Sequence, residues 1–321
     1  MNYLNKIKFV GKDLNRPECV LVDPENTLHV SDFQGGVKRI LESGDIKFTK
    51  PNNGFKIKPN GITIFNKNSW LVTHLDETKG GVYKLSFDGE IEPYILKIEN
   101  KPIPPTNYVH FDYHGRIWIT VSTRKIPRIL SHNSDCDDGF IILIDDGKAR
   151  IVADGLGFAN ECFYNPFDKK LYVNETFGRK ISYFEIGKNG MLFNKKNLTT
   201  FGFGEFPDGL TLDSEGCFWI TSIFSNKLIR VLPNGHKEII LEDSEITYLN
   251  SIELAYKNGT LTRSLMSEVK SERLKNISSL AFGGKNLKKI YLGCLLGEEI
   301  AYFEGNIVGL EPAYWKNFYS N

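Results

Sequence analysis

Glu18, Asn60, Asn107, Asn160, Asp208 and Ser278 are the residues of this chain whose type and spacing could do chemistry together. Each stands just ahead of a short apolar alternation, such as Val20-Leu21-Val22 or Leu210-Thr211-Leu212, that reads as a buried strand. As a set they offer two carboxylates, three carboxamides and a hydroxyl, with neither Cys nor His at the repeated position. An all-oxygen shell of this kind suits a hard divalent cation, Ca²⁺ or Mg²⁺ before Mn²⁺, and two carboxylates would offset its charge. The competing reading is that Asn, Asp and Ser form Asx-type turns ahead of a strand. That reading suits Asn60 and Ser278 well. It suits Glu18 poorly, because Glu is a weak turn former and is the one residue of its type at the repeated position.

For six such residues to meet, the elements behind them must close into a ring. Successive key positions are 42, 47, 53, 48 and 70 residues apart, and four-stranded propeller blades take about 40 to 50 residues. The third and fifth copies show the grammar most fully. One runs from Thr106-Asn107 through Asp112 and Gly115 to Trp118, the other from Pro207-Asp208 through Asp213 and Gly216 to Trp219. Strand-like runs dominate the rest, including Trp70-Leu71-Val72, Phe140-Ile141-Ile142-Leu143-Ile144 and Leu228-Ile229-Arg230-Val231. Asp88-Gly89, Asp146-Gly147, Asn189-Gly190 and Asn234-Gly235 supply hairpin turns between them. The predicted fold is all-β, a six-bladed β-propeller forming a single domain over residues 1–321. In the long fifth interval, Ile246, Leu249, Ile252 and Tyr256 fall near helical spacing. A short helical insertion is expected near residues 244–274, with Ser244 as its cap and Gly259 at its end, as a surface excursion or a lid. Closing the ring requires the last blade to be completed, and Lys6–Val10 and Ile300–Phe303 are the candidate strands.

Composition sets the outer limits. Lys plus Arg total 40 against 39 for Asp plus Glu, so no global field favours nucleic acid or an anionic membrane, and a small-molecule partner is expected. No apolar run approaches the length of a membrane-spanning helix, and Met1–Lys8 lacks the apolar core of a secretory signal. A cytoplasmic location is the expectation. The five cysteines are scattered with no CxxC pair, against a zinc knuckle or a disulfide framework. Cys217 and Cys294 read as core residues, and Cys19 and Cys162, which follow two key positions, lack a His at partner spacing.

The chain resembles the regucalcin/gluconolactonase family of six-bladed β-propellers over nearly all six repeats. The resemblance is carried by Pro17-Glu18, by Asn160 ahead of Leu171-Tyr172-Val173, by Phe206-Pro207-Asp208-Gly209-Leu210 and by Ser279-Leu280-Ala281-Phe282-Gly283-Gly284. The family contains metal-dependent lactonases. Its single catalytic cation is held by a Glu, an Asn and an Asp that match Glu18, Asn160 and Asp208, and its substrate-binding Asn matches Asn107. The resemblance therefore implies one divalent cation, Ca²⁺ first, with Mg²⁺, Mn²⁺ and Zn²⁺ compatible. Many of these lactonases carry Arg two residues ahead of the third-blade Asn, where this chain has Pro105. Arg124, with Lys125 beside it, is the sequence's candidate for the missing substrate-binding cation.

The expected activity is lactonase-type hydrolysis of a sugar-derived or other small lactone. The cation would polarise the carbonyl, Asp208 would activate water as the catalytic residue, and Asn107 and Asn160 would fix substrate oxygens. Two alternatives share the architecture: phosphotriester or fluorophosphate hydrolysis on the same metal site, and a non-catalytic metal- or ligand-binding propeller. A metal-free condensing enzyme of the strictosidine-synthase type would not need the Glu18, Asn160, Asp208 set. His74 and His110 read as structural, Asp135, Asp137 and Asp138 as a possible second cation site in a loop, and Glu161, Asn174 and Glu175 as facing either the rim or a neighbouring blade.

Overall fold

The computed structural model describes residues 3–319. Six four-stranded antiparallel sheets are arranged around one axis, and the first strands of neighbouring sheets touch around the full circle. These innermost strands are Val20–Val22, Pro59–Asn66, Tyr108–Phe111, Ala159–Asn165, Pro207–Leu212 and Ile277–Gly283. They are flanked on both faces by neighbouring blades, so nearly every side chain is buried, the polar ones included. Outermost strands such as Leu192–Thr200 are largely exposed.

The ring closes as the sequence predicts. Lys8–Val10 pairs antiparallel with Ile300–Glu304, in the register Lys8 to Tyr302 and Val10 to Ile300, and becomes the outer strand of the sixth blade. Fastening the first residues of the chain to the last blade leaves no unpaired edge inside the ring.

The Asp that follows the inner strand has a consistent task. In the fifth blade Asp213 Oδ1 accepts the N–H groups of Glu215 and Cys217, while Oδ2 accepts Trp219 Nε1 at 2.9 Å and Arg230 Nε at 2.8 Å. Asp112 does the same in the third blade for His114, Arg116 and Trp118. In the first blade Asp23 pairs with His29, whose other ring nitrogen takes the indole N–H of Trp70 from the second blade. Trp70, Trp118 and Trp219 can therefore be buried between blades with their single polar atom satisfied.

The long fifth interval holds two helices, α1 (Ile246–Lys257) and α2 (Arg263–Met266). Two details differ from the sequence expectation. The α1 cap is Glu245, whose carboxylate accepts the N–H groups of Thr247 and Tyr248, whereas Ser244 bonds Glu242. Ile246 is exposed and Tyr248 takes its place on the buried face with Leu249, Ile252 and Tyr256. That face packs on Phe177, Phe206 and Phe224 at one rim of the ring. Glu253 anchors it, pairing with Arg179 at 2.9 Å and accepting Gly204 N–H at 2.6 Å. α2 then reaches the second blade, which lies across the ring from the fifth, where Arg263 makes a two-pronged pair with Glu77 at 2.9 and 2.8 Å.

The opposite rim is closed by the C-terminal segment. Leu310 N–H bonds Leu212 O, Tyr314 hydroxyl bonds Val22 O, and Trp315 Nε1 bonds the same carbonyl at 2.7 Å, so Leu310–Tyr314 lies across the inner strands. The central channel is thus open at one end only. Among the described residues no helix is long and apolar enough to cross a membrane.

Candidate active site

The key polar residues sit where each inner strand begins, and a backbone irregularity helps aim them. In four blades the register against the second strand slips at that point, between Pro59 and Ile62, Ala159 and Cys162, Pro207 and Leu210, and Ile277 and Leu280. Such bulges turn a side chain away from the strand's regular alternation. After Asp208 comes Gly209, where a Cβ would lie 2.5 Å from Ser278 O of the next blade. Glycine is required there because the two backbones approach so closely.

Glu18, Asn107, Asn160 and Asp208 line one cavity of about 350 Å³ at the open rim. Residues one or two positions past the second strands form much of the wall: Phe33, Leu75, Ile223 and Leu295 follow directly, Phe177 and Phe224 come one later, and Ile129 serves in the third blade. Arg263, Met266 and Ser267 of the insertion border the mouth. The insertion therefore contributes to the cavity and is more than a surface excursion.

The amide orientations on the floor are fixed by neighbours. Thr176 hydroxyl donates to Pro207 O at 2.8 Å, so it can only accept from Asn160 Nδ2, at 3.0 Å. Asn160 Oδ1 is left for the cavity. Asn107 Nδ2 likewise donates to Ser122 Oγ at 3.0 Å. Among the described residues no donor bonds the Asp208 carboxylate. Glu18 lies 2.6 Å from the Arg16 guanidinium, yet its buried Oε2 has no aligned hydrogen bond.

Burial pushes the Asp208 carboxyl well above the ordinary range, Glu18 and Glu161 push it further, and Arg16 and Arg128 offset part of this. Two buried carboxylates with spare oxygens and an amide oxygen suit a divalent cation, which would relieve the repulsion between them.

Asn60 and Ser278 are committed to the frame. Asn60 Nδ2 donates to Asn107 O and its Oδ1 accepts from Arg16, while Ser278 Oγ donates to Glu18 O across the junction of the last and first blades. Glu161 turns away from the cavity and accepts Leu210 N–H at 2.8 Å. Asn174 bonds Asp208 O and Gly209 O and so stitches the fourth blade to the fifth, while Glu175 accepts Gly157 N–H and pairs with Lys195 within the fourth blade; neither faces the rim.

Arg124 does not reach the cavity. Its guanidinium makes a two-pronged pair with Asp154 at 2.7 Å, bonds Asp138 O and lies over Phe140. Four residues on, Arg128 does line the cavity. Burial lowers its pKa to about 10, which leaves it charged at neutral pH. His132 is a second wall residue without a sequence signal. It stacks on Phe177, and burial pushes it down to about 3, so it is neutral.

Asp135, Asp137 and Asp138 do not converge on one point. Asp138 is spent on Thr123 and on the backbone N–H of Arg124. Asp213, Glu215 and Cys217 do lie close together, but Arg230 already occupies the first two. His74 Nδ1 accepts Lys58 N–H, and His110 is buried against Phe163, consistent with structural roles. All five cysteines are buried free thiols.

Among curated proteins, the 6-deoxy-6-sulfogluconolactonase of Pseudomonas putida is 22% identical over 236 residues, which are 72% of this chain and 62% of that relative. Solved structures share the fold across nearly the whole chain. A gluconolactonase from Xanthomonas campestris superposes with a TM-score of 0.69 at 16% identity, covering 93% of this chain and 89% of the other. A calcium-binding regucalcin from Agrobacterium tumefaciens gives 0.68 at 15% identity, with 95% and 97% covered. A luciferin-regenerating enzyme gives 0.68 at 17% identity, with 96% and 98% covered. The family model of the SMP-30/Gluconolactonase/LRE-like region matches residues 16–248, and the chain belongs to that family.

Proposed function

We propose that this protein is a metal-dependent lactonase, with Glu18, Asn160 and Asp208 holding one divalent cation and Asn107 contacting substrate. The observation that carries this reading is the convergence of three oxygen donors from three blades on the floor of one cavity, each with a spare oxygen. The family, and relatives named for lactonase activity, supply the reaction class. Ca²⁺ is the first choice, since a carboxylate and carboxamide shell is what it prefers.

When bound, the cation supplies Lewis-acid polarisation of the lactone carbonyl. Asp208 accepts a proton from water at a carboxylate oxygen, the water oxygen bonds the carbonyl carbon, and the ring C–O bond breaks as that proton passes from Asp208 to the departing ring oxygen, giving a hydroxy acid and restoring the carboxylate. Asn107, pinned by Ser122, holds a substrate oxygen. Phe33, Leu75 and Phe177 limit bulk water around the reacting atoms and favour a lactone with an apolar flank over a fully hydroxylated one.

Metal analysis of the purified protein and a pH-stat lactone panel, with paraoxon alongside, test the proposal before chelation, after it, and after Ca²⁺ is restored. Turnover should vanish with the metal and return with it. Turnover that survives metal loss overturns the metal dependence, and a preference for paraoxon by kcat/KM overturns the lactone. No turnover of either leaves a binding module.

A further inference from the structure

The charges around the cavity are mostly spent on one another. Arg16 pairs with Glu18 at 2.6 Å, Arg263 with Glu77 at 2.8 Å, and Asp76 with Lys58 at 2.7 Å. Two lining charges have no such partner among the described residues: Asp208, already placed on the floor, and Arg128. A guanidinium carries five N–H donors in a fixed fork. Arg128 spends one on Ser122 Oγ at 3.0 Å, and its face lies 5.1 Å from the Phe158 ring. Its Nε is buried without any hydrogen-bond partner. A neutral hydroxyl and an aromatic face hold the group in place; Glu18 and Asp208 act on its charge only from a distance, without an ion pair, and most of its fork is free. Held this way, a guanidinium is built to receive a planar anion in two-pronged fashion.

The position of the fork is also defined. Ser122 Oγ accepts from both Arg128 Nη2 and Asn107 Nδ2, so the free guanidinium and the proposed substrate amide hang from one hydroxyl of the third blade. A group bound by Arg128 is therefore one residue's reach from the reacting ring. The apolar walls exclude competing hydration and strengthen the pairing. Neither Arg124, which is tied to Asp154, nor Pro105 can serve this purpose.

We propose that Arg128 forms a subsite for a carboxylate carried by the substrate, so that the preferred substrate is a lactone bearing an anionic substituent next to its ring. The proposal rests on the lactonase reading for its reaction, but the subsite can be probed without turnover.

Two matched five-membered lactones, 5-oxotetrahydrofuran-2-carboxylate and uncharged γ-valerolactone, are compared in the Ca²⁺-loaded wild type, Arg128→Gln and Arg128→Lys. The wild type should favour the carboxylated lactone by about 10- to 100-fold in kcat/KM, chiefly through KM, as a charge-assisted pair predicts. The ratio should fall to near one in Arg128→Gln and recover in part in Arg128→Lys. Equal use of the two lactones by the wild type, or the same ratio in Arg128→Gln, overturns the subsite and leaves the lactonase intact. Calorimetry with pyroglutamate, a lactam with the same carboxylate, against 2-pyrrolidinone gives the independent reading. Tighter binding of pyroglutamate that is lost in Arg128→Gln supports the subsite even if neither lactone is opened, an outcome that counts against the lactonase alone. Equal binding of the two lactams overturns it.

Discussion

Replacing Glu161 by Gln in the metal-free protein should stabilise it at neutral pH and flatten its pH dependence. The Glu161 carboxyl lies beneath the cavity floor, and burial pushes it up to about 8 from an ordinary value of 4.5. The Leu210 N–H and the Ser279 hydroxyl pull against that rise, and Glu18 adds a smaller push. Between pH 4.5 and 8 the folded protein keeps this proton and the unfolded chain releases it, so stability falls as pH rises through that window. At about 1.4 kcal/mol per pH unit the full loss is on the order of 5 kcal/mol, of which about 3 is incurred by pH 7. Gln incurs none of it and still offers an oxygen to Leu210 N–H. Urea unfolding with EDTA present, followed by fluorescence of the buried tryptophans from pH 5 to 9, reads the slope. Wild type should lose stability up to about pH 8, and the variant should lose less, keeping only the part set by Asp208, whose carboxyl burial also raises. An identical slope in the two proteins would refute the placement of Glu161 as the group that sets it. Adding Ca²⁺ to wild type should also reduce the slope, because positive charge at the floor favours ionised carboxylates.

Other substitutions test other links. Asp208→Asn should lower lactone kcat/KM by about 10²- to 10⁴-fold and reduce bound metal measured on the same sample, the range expected for losing a general base. Arg124→Ala should leave the lactone KM unchanged and cost at most about 1 kcal/mol, since its pair with Asp154 is solvent-exposed; a raised KM would return Arg124 to the site. Gly209→Ala should cost about 1–3 kcal/mol or more in chemical denaturation, because the new Cβ meets the Ser278 carbonyl rather than a movable side chain.

Much of the architecture could be read along the chain because a propeller repeats its instructions. The polar residue, the apolar inner strand, the Asp and the Trp recur at blade length, and in the structure each does a job the repeat suggests. Asp112 and Asp213 tie a turn and an indole, and Asn60 and Ser278 tie one blade to the next. The apolar wall residues one or two positions past the second strands, Phe33, Leu75, Phe177, Phe224 and Leu295, emerge only once the strand ends are known. Arg128 and His132 had no such signal. They belong to a non-repeating loop, where the spacing of residues says little about direction.

The sequence by itself determined the six-bladed ring and its oxygen-rich floor, because both are specified by a local pattern repeated at about blade length, and its closure by the strand within Lys6–Val10, because a ring leaves its last blade to be completed. The tertiary structure alone decided which charges remain free. Arg124 and Arg128 are four residues apart and chemically identical, but Asp154, from a neighbouring strand, captures the first, while Ser122 and Phe158 hold the second at the cavity. It alone decided too that α2 reaches the second blade through Arg263 and Glu77, and that Leu310–Tyr314 seals the far end of the channel. These pairings join residues remote in sequence, and a short-range pattern carries no record of which distant partner will neutralise a given charge.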